Sequence, residues 1–343
     1  MAPDARLRSL LRWEVGLTVA LAAVIVFAII ASSQFLTSFN LFSLNLSIGE
    51  VAIMALPMTL LIVAGEIDLS VASILGMSSA LVGDLFSHGW PMPLVIAVVL
   101  AVGALAGAFN GFLVTRVGLP SLAVTIGTLT LYRGIAVVIL GPNTISNFPT
   151  RYTDIGVTPL PNTGGYLSYS VGIFLVLAVV FGLVLHATPI GRSLYAIGAN
   201  DEAARYSGIR VKRTKFMLFV VSGLVCSLAG ILYTFRLSTA VQDNGIGLEL
   251  SVVTIVLLGG VSIFGGRGTI IGVVLAIAVF AGLQNALLLT NFEQRAIGVV
   301  TGTLLLLSVL IPNVSAFAER GRDLLRRREL GAASGARARE AAS

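Results

Sequence analysis

The segment LVIAVVLAVGALAGA, residues 94–108, is an unbroken run of apolar and small side chains. A strand of a transmembrane β-barrel alternates apolar and polar residues, but this run, like residues 173–185, is apolar on every side. A helix that is apolar all round belongs in a membrane or in the centre of a large core. The segment therefore predicts a membrane-spanning helix.

The composition of the whole chain extends this prediction. Of its 343 residues 56% are hydrophobic and 11% are charged, against about 25% charged in a typical soluble domain. Charged residues are costly at the centre of a membrane helix, so they mark the limits of the spans. The sequence predicts an all-α, polytopic integral membrane protein with about ten transmembrane helices, at residues 15–31, 46–65, 69–86, 93–114, 121–140, 169–186, 216–235, 250–264, 269–289 and 296–311.

The lysines and arginines are unevenly distributed between the predicted loops. If the N-terminus lies in the cytoplasm, 18 of the 22 fall in cytoplasmic segments and three fall outside. Both termini are therefore predicted to be cytoplasmic, because basic loops stay inside. The predicted organisation is a cytoplasmic N-terminal segment (1–13), a transmembrane domain (14–318) with a cytoplasmic loop at 188–215, and a basic, disordered cytoplasmic tail (319–343).

This orientation also accounts for the net charge of +6, because cytoplasmic loops face the anionic lipids of the inner leaflet. The charge therefore predicts contact with the lipid bilayer and no nucleic-acid partner. The remaining basic residue, Arg133, falls inside a span, where an unpaired charge is costly. Arg133 is expected to reach toward the membrane surface or to pair with an acid such as Asp84.

Sequence signatures of catalysis are absent. The chain has no P-loop, no dinucleotide-binding G-x-G-x-x-G after a strand and no H-E-x-x-H zinc motif. Its one cysteine, Cys226, rules out an internal disulfide and a thiolate metal cluster. We therefore predict no catalytic residues, no metal site and no cofactor, and a lipid-modifying membrane enzyme is disfavoured.

The segment GEIDLS, residues 65–70, places two acids and a glycine between uncharged stretches. It is expected near the membrane edge or in a broken helix lined by protein and water, since exposed backbone is not tolerated in lipid. Asp68 could cap a helix or contact a substrate. A similar pattern, GLELSV at 247–252, opens the eighth span, so an inverted five-plus-five repeat or a chance similarity is possible.

Polar side chains inside spans are candidates for lining a translocation pathway. For each of them the alternative is a hydrogen bond between helices, which is common in membranes. A separate pattern of Gly103, Gly107 and Gly111 at four-residue spacing predicts close helix packing. The pathway candidates are Asp68, Ser70, Asn110, Thr125, Gln284 and Asn285.

The predicted cytoplasmic loop contains the segment DEAARYSG, residues 201–208. Its charges, followed by Gly208, are typical of a short amphipathic helix that ends at glycine. Such a helix either lies at the membrane interface or docks a soluble partner.

Several motifs, in order, resemble one family. They are GEIDLSV at 65–71, NG at 110–111, GTL at 127–129, GRSLYAIG at 191–198, EAARYSGI at 202–209 and LGG at 258–260. Together they resemble the permease subunits of bacterial ATP-binding-cassette sugar importers of the ribose type, with closer similarity to rhamnose and autoinducer-2 permeases. Glu66 departs from the family, which usually has a second glycine there.

The resemblance implies a multi-pass protein of the bacterial inner membrane that translocates a sugar or sugar-like solute and performs no bond chemistry. Its implied partners are a second permease chain, identical or related, cytoplasmic ATPase subunits and a periplasmic sugar-binding protein. The resemblance also implies that a coupling helix, seated in the ATPase, is formed by Asn200, Asp201, Glu202, Ala203, Ala204, Arg205, Tyr206, Ser207 and Gly208.

An ion-coupled secondary transporter is the alternative function. It would need an acid embedded in the membrane to bind a proton or sodium ion. Asp84 is the nearest candidate in the sequence.

Overall fold

The computed structural model describes residues 3–290, 292 and 297–310, and this part of the chain is helical apart from turns and two isolated β-bridges. The helices are α1 (Pro3–Ala31), α2 (Ser38–Val63), α3 (Val71–Ser87), α4 (Met92–Phe112), α5 (Ser121–Leu140), α6 (Thr150–Val157), α7 (Tyr169–Ala187), α8 (Pro189–Ala199), α9 (Asp201–Tyr206), α10 (Val211–Leu237), α11 (Leu248–Leu258), α12 (Ile270–Leu289) and α13 (Ile297–Leu310).

Seven of these helices are long and apolar enough to cross a membrane: α1, α2, α4, α5, α7, α10 and α12. Each of the ten predicted spans overlaps a helix, but those on α3, α11 and α13 are shorter. The 11 residues of α11 extend about 16 Å, roughly half of the hydrocarbon thickness. The all-helical, polytopic prediction is confirmed, whereas ten crossings, cytoplasmic termini and an inverted repeat stay predictions. The predicted tail lies outside the described residues.

Helix α2 forms the centre of the bundle. All of its residues from Ile48 to Val63 are buried, because α7, α10, α11 and α12 surround it. Ile53, Met54, Leu56 and Leu61 are fully buried. In contrast, α1, α5 and α7 leave most of their surfaces uncovered by the chain, which suits lipid or another membrane subunit.

Helices α4 and α10 pack in backbone contact along the predicted glycine face. A Cβ atom at Gly107 would overlap the carbonyl oxygen of Phe219, and one at Gly103 would overlap Ser227. On the α10 side, a Cβ atom at Gly223 would overlap the Gly103 carbonyl oxygen. The predicted close packing is therefore confirmed, with α10 as the partner helix.

Candidate functional site

The segment 64–70 interrupts the helical path between α2 and α3. Gly65 adopts a left-handed backbone conformation (φ 81°), which a glycine accommodates without strain. The N–H groups of Gly65 and Glu66 then donate to the carbonyls of Ile62 and Leu61 and close the end of α2. The chain therefore breaks its helical path here, in a turn that is buried at Glu66, Asp68 and Ser70 and exposed at Gly65.

Asp68 is fully buried in this turn. Its Oδ1 atom accepts hydrogen bonds from the Ser70 backbone N–H, at 3.0 Å, and from the Ser70 hydroxyl. Its Oδ2 atom accepts a bond of 3.1 Å from the Ser222 hydroxyl on α10. Asp68 therefore fixes the backbone that enters α3 and ties that backbone to α10.

The hydrogen bonds continue from Ser70 to two further helices. The Asn110 side-chain amide of α4 donates to the Ser70 hydroxyl at 2.8 Å. The Tyr132 hydroxyl of α5 lies 3.2 Å from Asn110 Oδ1 and 2.9 Å from the Ala106 carbonyl oxygen. This buried polar network, defined by Asp68, Ser70, Asn110, Tyr132 and Ser222, joins α3, α4, α5 and α10.

A second pair of bonds holds the turn against α5. The Ile67 N–H donates to the Ser121 hydroxyl, and the Thr125 hydroxyl donates to the Ile67 carbonyl, both at 3.3 Å. Thr125 is fully buried. Four of the six pathway candidates, Asp68, Ser70, Asn110 and Thr125, are therefore assembled at one place.

The other two candidates lie apart from this network on α12. The side chains of Asn285 and Asn40, at the start of α2, exchange two hydrogen bonds of 2.9 Å. Gln284 contacts Thr301 of α13 at 3.5 Å. These contacts are at the opposite end of α2 from the turn, so the structure does not bring all six residues together.

The predicted short helix in the loop is α9. The Asn200 side-chain oxygen accepts a hydrogen bond of 2.9 Å from the Ala203 N–H at its start. Gly208 ends it in a left-handed conformation (φ 84°). Ala204 is buried, whereas the other side chains of α9, including the 80% exposed Tyr206, face outward. The described part of the chain therefore leaves most of the α9 surface uncovered.

Lys215 joins α9 to the turn, a contact that sequence reasoning missed. Its Nζ atom lies 2.7 Å from Glu66 Oε1 and 3.1 Å from Asp201 Oδ2. The Lys215 and Glu66 side chains are nearly buried, and Asp201 is more than half exposed. Glu66, which stands where the resembling family usually has glycine, therefore has a specific electrostatic partner.

Glycines pack the same region at backbone distance. A Cβ atom at Gly198, near the end of α8, would overlap the Val63 carbonyl oxygen and the Gly266 nitrogen. The Gly266 N–H also donates to the Val63 carbonyl at 2.9 Å. Backbone contacts therefore join three chain segments: the end of α2, the end of α8 and the turn at 265–268.

Tyr195 fastens α8 to this turn. Its hydroxyl donates to the Gly268 carbonyl at 2.7 Å. Burial raises the pKa of Tyr195 to about 12, so the phenol stays protonated and remains a donor at neutral pH. Residues 265–268 thus form a turn that is held against α8 by a side chain.

A buried ion pair, also missed from the sequence, joins α2 to α10. Arg236 Nε lies 3.2 Å from both carboxylate oxygens of Glu50, which is 1% exposed. The Ser170 hydroxyl on α7 donates to the same carboxylate at 3.1 Å. The Arg236 guanidinium also lies 4.9 Å from the ring of Tyr233. The pair connects three helices through one carboxylate.

The predicted pairing of Arg133 with Asp84 is wrong, whereas its predicted reach toward the membrane surface stays a prediction. Its guanidinium donates to the backbone carbonyls of Asn244 and Ala72 and does not pair with Asp84. The space exists because Gly76 has no side chain: a Cβ atom there would overlap the guanidinium. Asp84 instead lies near the end of α3, is 31% exposed and contacts His88 at 3.5 Å.

The chain is similar in sequence to known membrane transport proteins. The model of the family described as "Branched-chain amino acid transport system / permease component" matches residues 40–309. The autoinducer 2 import system permease protein LsrD of Yersinia enterocolitica serotype O:8 / biotype 1B is 34% identical over 284 residues, 81% of this chain and 85% of that protein. No solved structure gave a match.

Further relatives cover nearly the whole chain. The LsrD proteins of Escherichia coli O9:H4 (strain HS) and Shigella flexneri are each 33% identical over 333 residues, 93% of this chain and 98% of each relative. These matches confirm the resemblance to importer permeases that the motifs indicated. The chain therefore belongs to the family described as branched-chain amino acid transport system / permease component, and is a multi-pass permease subunit of an inner-membrane importer.

Proposed function

We propose that this chain forms one half of the membrane pore of an ATP-driven importer for a sugar or sugar-like solute, of which autoinducer 2 is the first candidate. Relatives with that printed name align along 98% of their length. The buried polar network supports a neutral, hydroxyl-rich solute, because hydroxyl and amide groups can exchange hydrogen bonds with it. In this proposal the chain itself performs no catalysis.

The proposed assembly has a second permease chain, cytoplasmic ATPase subunits and a periplasmic binding protein. With ten crossings and both termini inside, the exposed surface of α9 faces the ATPase. The segment 188–215, which contains α9, holds six basic residues and two acidic ones, and this excess supports the orientation. The sparsely covered face of α5 supports a second membrane subunit, since it exposes Ile126, Leu131 and Val138 to something other than this chain.

The observation that carries the mechanism is the bridge from Asp201 through Lys215 to Glu66. When the ATPase moves α9, Lys215 pulls on the turn at 64–70. The glycine contacts between α8 and the end of α2 transmit the same movement through the backbone. The turn carries Asp68 and Ser70, so the movement reaches Asn110 on α4 and Thr125 on α5.

The translocation pathway is proposed to open next to this network. At one level it would be lined by four side chains whose present hydrogen bonds rearrange: Asp68, Ser70, Asn110 and Thr125. Gln284 and Asn285 on α12 would line it at the other end of the bundle. There, hydrogen bonds to the solute would replace their present bonds to Thr301 and Asn40.

Reconstitution tests this function. Proteoliposomes that contain this chain with its second permease chain, its ATPase and its binding protein should accumulate autoinducer 2 or a sugar only with ATP. They should not accumulate leucine. If the proteoliposomes accumulate leucine but neither autoinducer 2 nor a sugar, the transported solutes are branched-chain amino acids. Uptake by this chain alone, driven by a proton or sodium gradient, would support the secondary-transporter alternative; the position of Asp84 at a helix end does not favour it.

Replacement of Gly208 by alanine should weaken docking of the ATPase. The left-handed conformation at Gly208 (φ 84°) costs an L-residue about 1–2 kcal/mol, so the end of α9 should shift. We expect the ATPase to co-purify with the variant at least several-fold less, with normal membrane insertion. Gly89→Ala is the matched control, because Gly89 has the same conformation (φ 80°), has no close neighbours and lies away from α9. Equal co-purification of both variants would contradict docking through α9.

Lys215→Met should uncouple ATP hydrolysis from uptake. Hydrogen bonds to charged groups contribute about 1.5–3 kcal/mol, so loss of the bridge is expected to lower ATP-driven uptake by about tenfold. Lys215→Arg keeps the charge and should retain most of the uptake. Arg192→Gln, an exposed change on α8, serves as the control. The measurement is the number of solutes imported per ATP hydrolysed; an unchanged ratio in Lys215→Met would exclude the bridge from coupling.

A further inference from the structure

A groove of about 760 Å³ opens between the end of α4 and the start of α10. Five cationic side chains line it: Arg116, Arg205, Arg210, Lys212 and Arg213. No acidic side chain is among its lining residues. The bridge through Lys215 does not account for this groove, and the proposed transport mechanism does not use it.

The groove exists because α4 and α10 diverge after their last glycine contact. At Gly111 the two helices still touch through Phe216. Immediately afterwards α4 ends in a π-helical turn, Leu113–Val117, and Gly118 redirects the chain toward α5. π-helical turns are rare in proteins, but those that occur are often found at functional sites. The turn places Arg116 on the groove, opposite the basic residues that precede and begin α10.

The charges of the groove are unpaired within the described part of the chain. None of its five cations forms a salt bridge there, although Lys215, close by in the sequence, contacts two carboxylates. Like charges gathered around one cavity repel each other and attract a counter-ion from outside. The groove therefore selects an anionic occupant.

The floor of the groove is apolar, which a soluble anion does not require. Phe112, Val211 and Phe216 contribute to it. An exposed apolar stripe on α4, formed by Leu105 (67% exposed), Phe109 (46%) and Phe112 (50%), leads into the groove from the membrane-facing surface. The same cavity thus offers cations at its rim and a hydrocarbon-compatible surface that continues along a membrane helix.

We propose that this groove is a binding site for an anionic phospholipid such as phosphatidylglycerol. The arginines and Lys212 would hold the phosphate through charge-assisted hydrogen bonds, and one acyl chain would follow Phe216 and Phe112 onto α4. Basic pockets between membrane helices recognise anionic headgroups in this way. Arg205 belongs to α9, so on the proposed function the bound lipid also steadies the coupling helix.

The experiment uses the full chain purified in detergent and measures retained lipid by native mass spectrometry. Phosphatidylglycerol should bind, and phosphatidylcholine with the same acyl chains should bind at least tenfold more weakly. The variant Arg116→Gln/Arg210→Gln/Arg213→Gln should lose at least tenfold in affinity for phosphatidylglycerol. The charge-preserving variant Arg116→Lys/Arg210→Lys/Arg213→Lys should keep it. The control for total charge is Arg151→Gln/Arg192→Gln/Arg267→Gln, which also removes three positive charges.

A photoactivatable phosphatidylglycerol provides a second readout that needs no variant. It should crosslink to peptides that contain residues 112–116 and 210–216. Equal affinity of the glutamine variant, equal binding of phosphatidylcholine, or complete displacement by inorganic phosphate would overturn the proposal. Loss of ATPase co-purification with unchanged lipid binding would assign the groove to the ATPase. Transport is not measured, so failure here leaves the proposed function intact.

Discussion

The substitution Arg236→Met is expected to destabilise the protein so strongly that most of it does not fold. The substitution leaves the carboxylate of Glu50, 1% exposed, without its cation in the centre of the bundle. Removal of one partner of a buried pair costs about 3–5 kcal/mol, which lowers the folded-to-unfolded ratio by at least about a hundredfold. The measurement is the midpoint of thermal unfolding in detergent, with the yield of monodisperse protein.

Further variants distinguish the effect of losing the ion pair from the effect of leaving the buried Glu50 carboxylate unpaired. Glu50→Gln/Arg236→Met removes the charge with its partner, so it should recover part of the lost stability. Arg236→Lys keeps the charge but loses the two-oxygen contact and the packing on Tyr233, so it should be intermediate. Arg151→Met, at an exposed arginine of α6, should have no effect. An unchanged midpoint in Arg236→Met would show that the pair contributes little.

The sequence predicted the helices well because their signal is local. Residues 94–108 and 173–185 carry enough apolar side chains to define a span without knowledge of any neighbour. The spacing of Gly103, Gly107 and Gly111 likewise predicted a close contact, which the structure shows with α10. The partner helix itself could not be predicted, because Gly223 and Ser227 are more than a hundred residues away in the sequence.

The ion pairs could not be predicted, because they depend on distant segments. Glu50 and Arg236 are 186 residues apart, so no local pattern links them. Arg133 was expected either to reach toward the membrane surface or to pair with an acid, but the space left by Gly76 allows its guanidinium to donate to two backbone carbonyls. A glycine opposite a membrane arginine is a signal that only the fold reveals.

The candidate site shows an intermediate case. Asp68, Ser70, Asn110 and Thr125 were selected as polar residues in or beside apolar segments, and the fold assembles all four around one turn. Tyr132 and Ser222, which complete the network, were not selected, because tyrosine and serine in membrane helices are common. The polar character of the site could be predicted from the sequence. Which residues belong to it is known only from the contacts between α3, α4, α5 and α10.

Gly107→Val should separate α4 from α10 and abolish uptake. A side chain at Gly107 would overlap the backbone of Phe219 and Gly223, which cannot rotate away as a side chain could. Overpacking usually costs about 1–3 kcal/mol and occasionally more, and here the helices must part along the whole contact. Asn110 lies one turn further along α4, so its bond to Ser70 should break as well.

The matched control is Gly127→Val on α5. The substitution is the same and the residue is also in a membrane helix, but nothing lies within 4 Å of a Cβ atom there. This variant should keep the unfolding midpoint of the unmodified chain, whereas Gly107→Val should lower it by several degrees or more. If both variants keep the midpoint and the uptake, the contact between α4 and α10 does not hold the polar network in place. If only Gly127→Val loses uptake, the open face of α5 is the part of this chain that meets the solute or the second permease subunit.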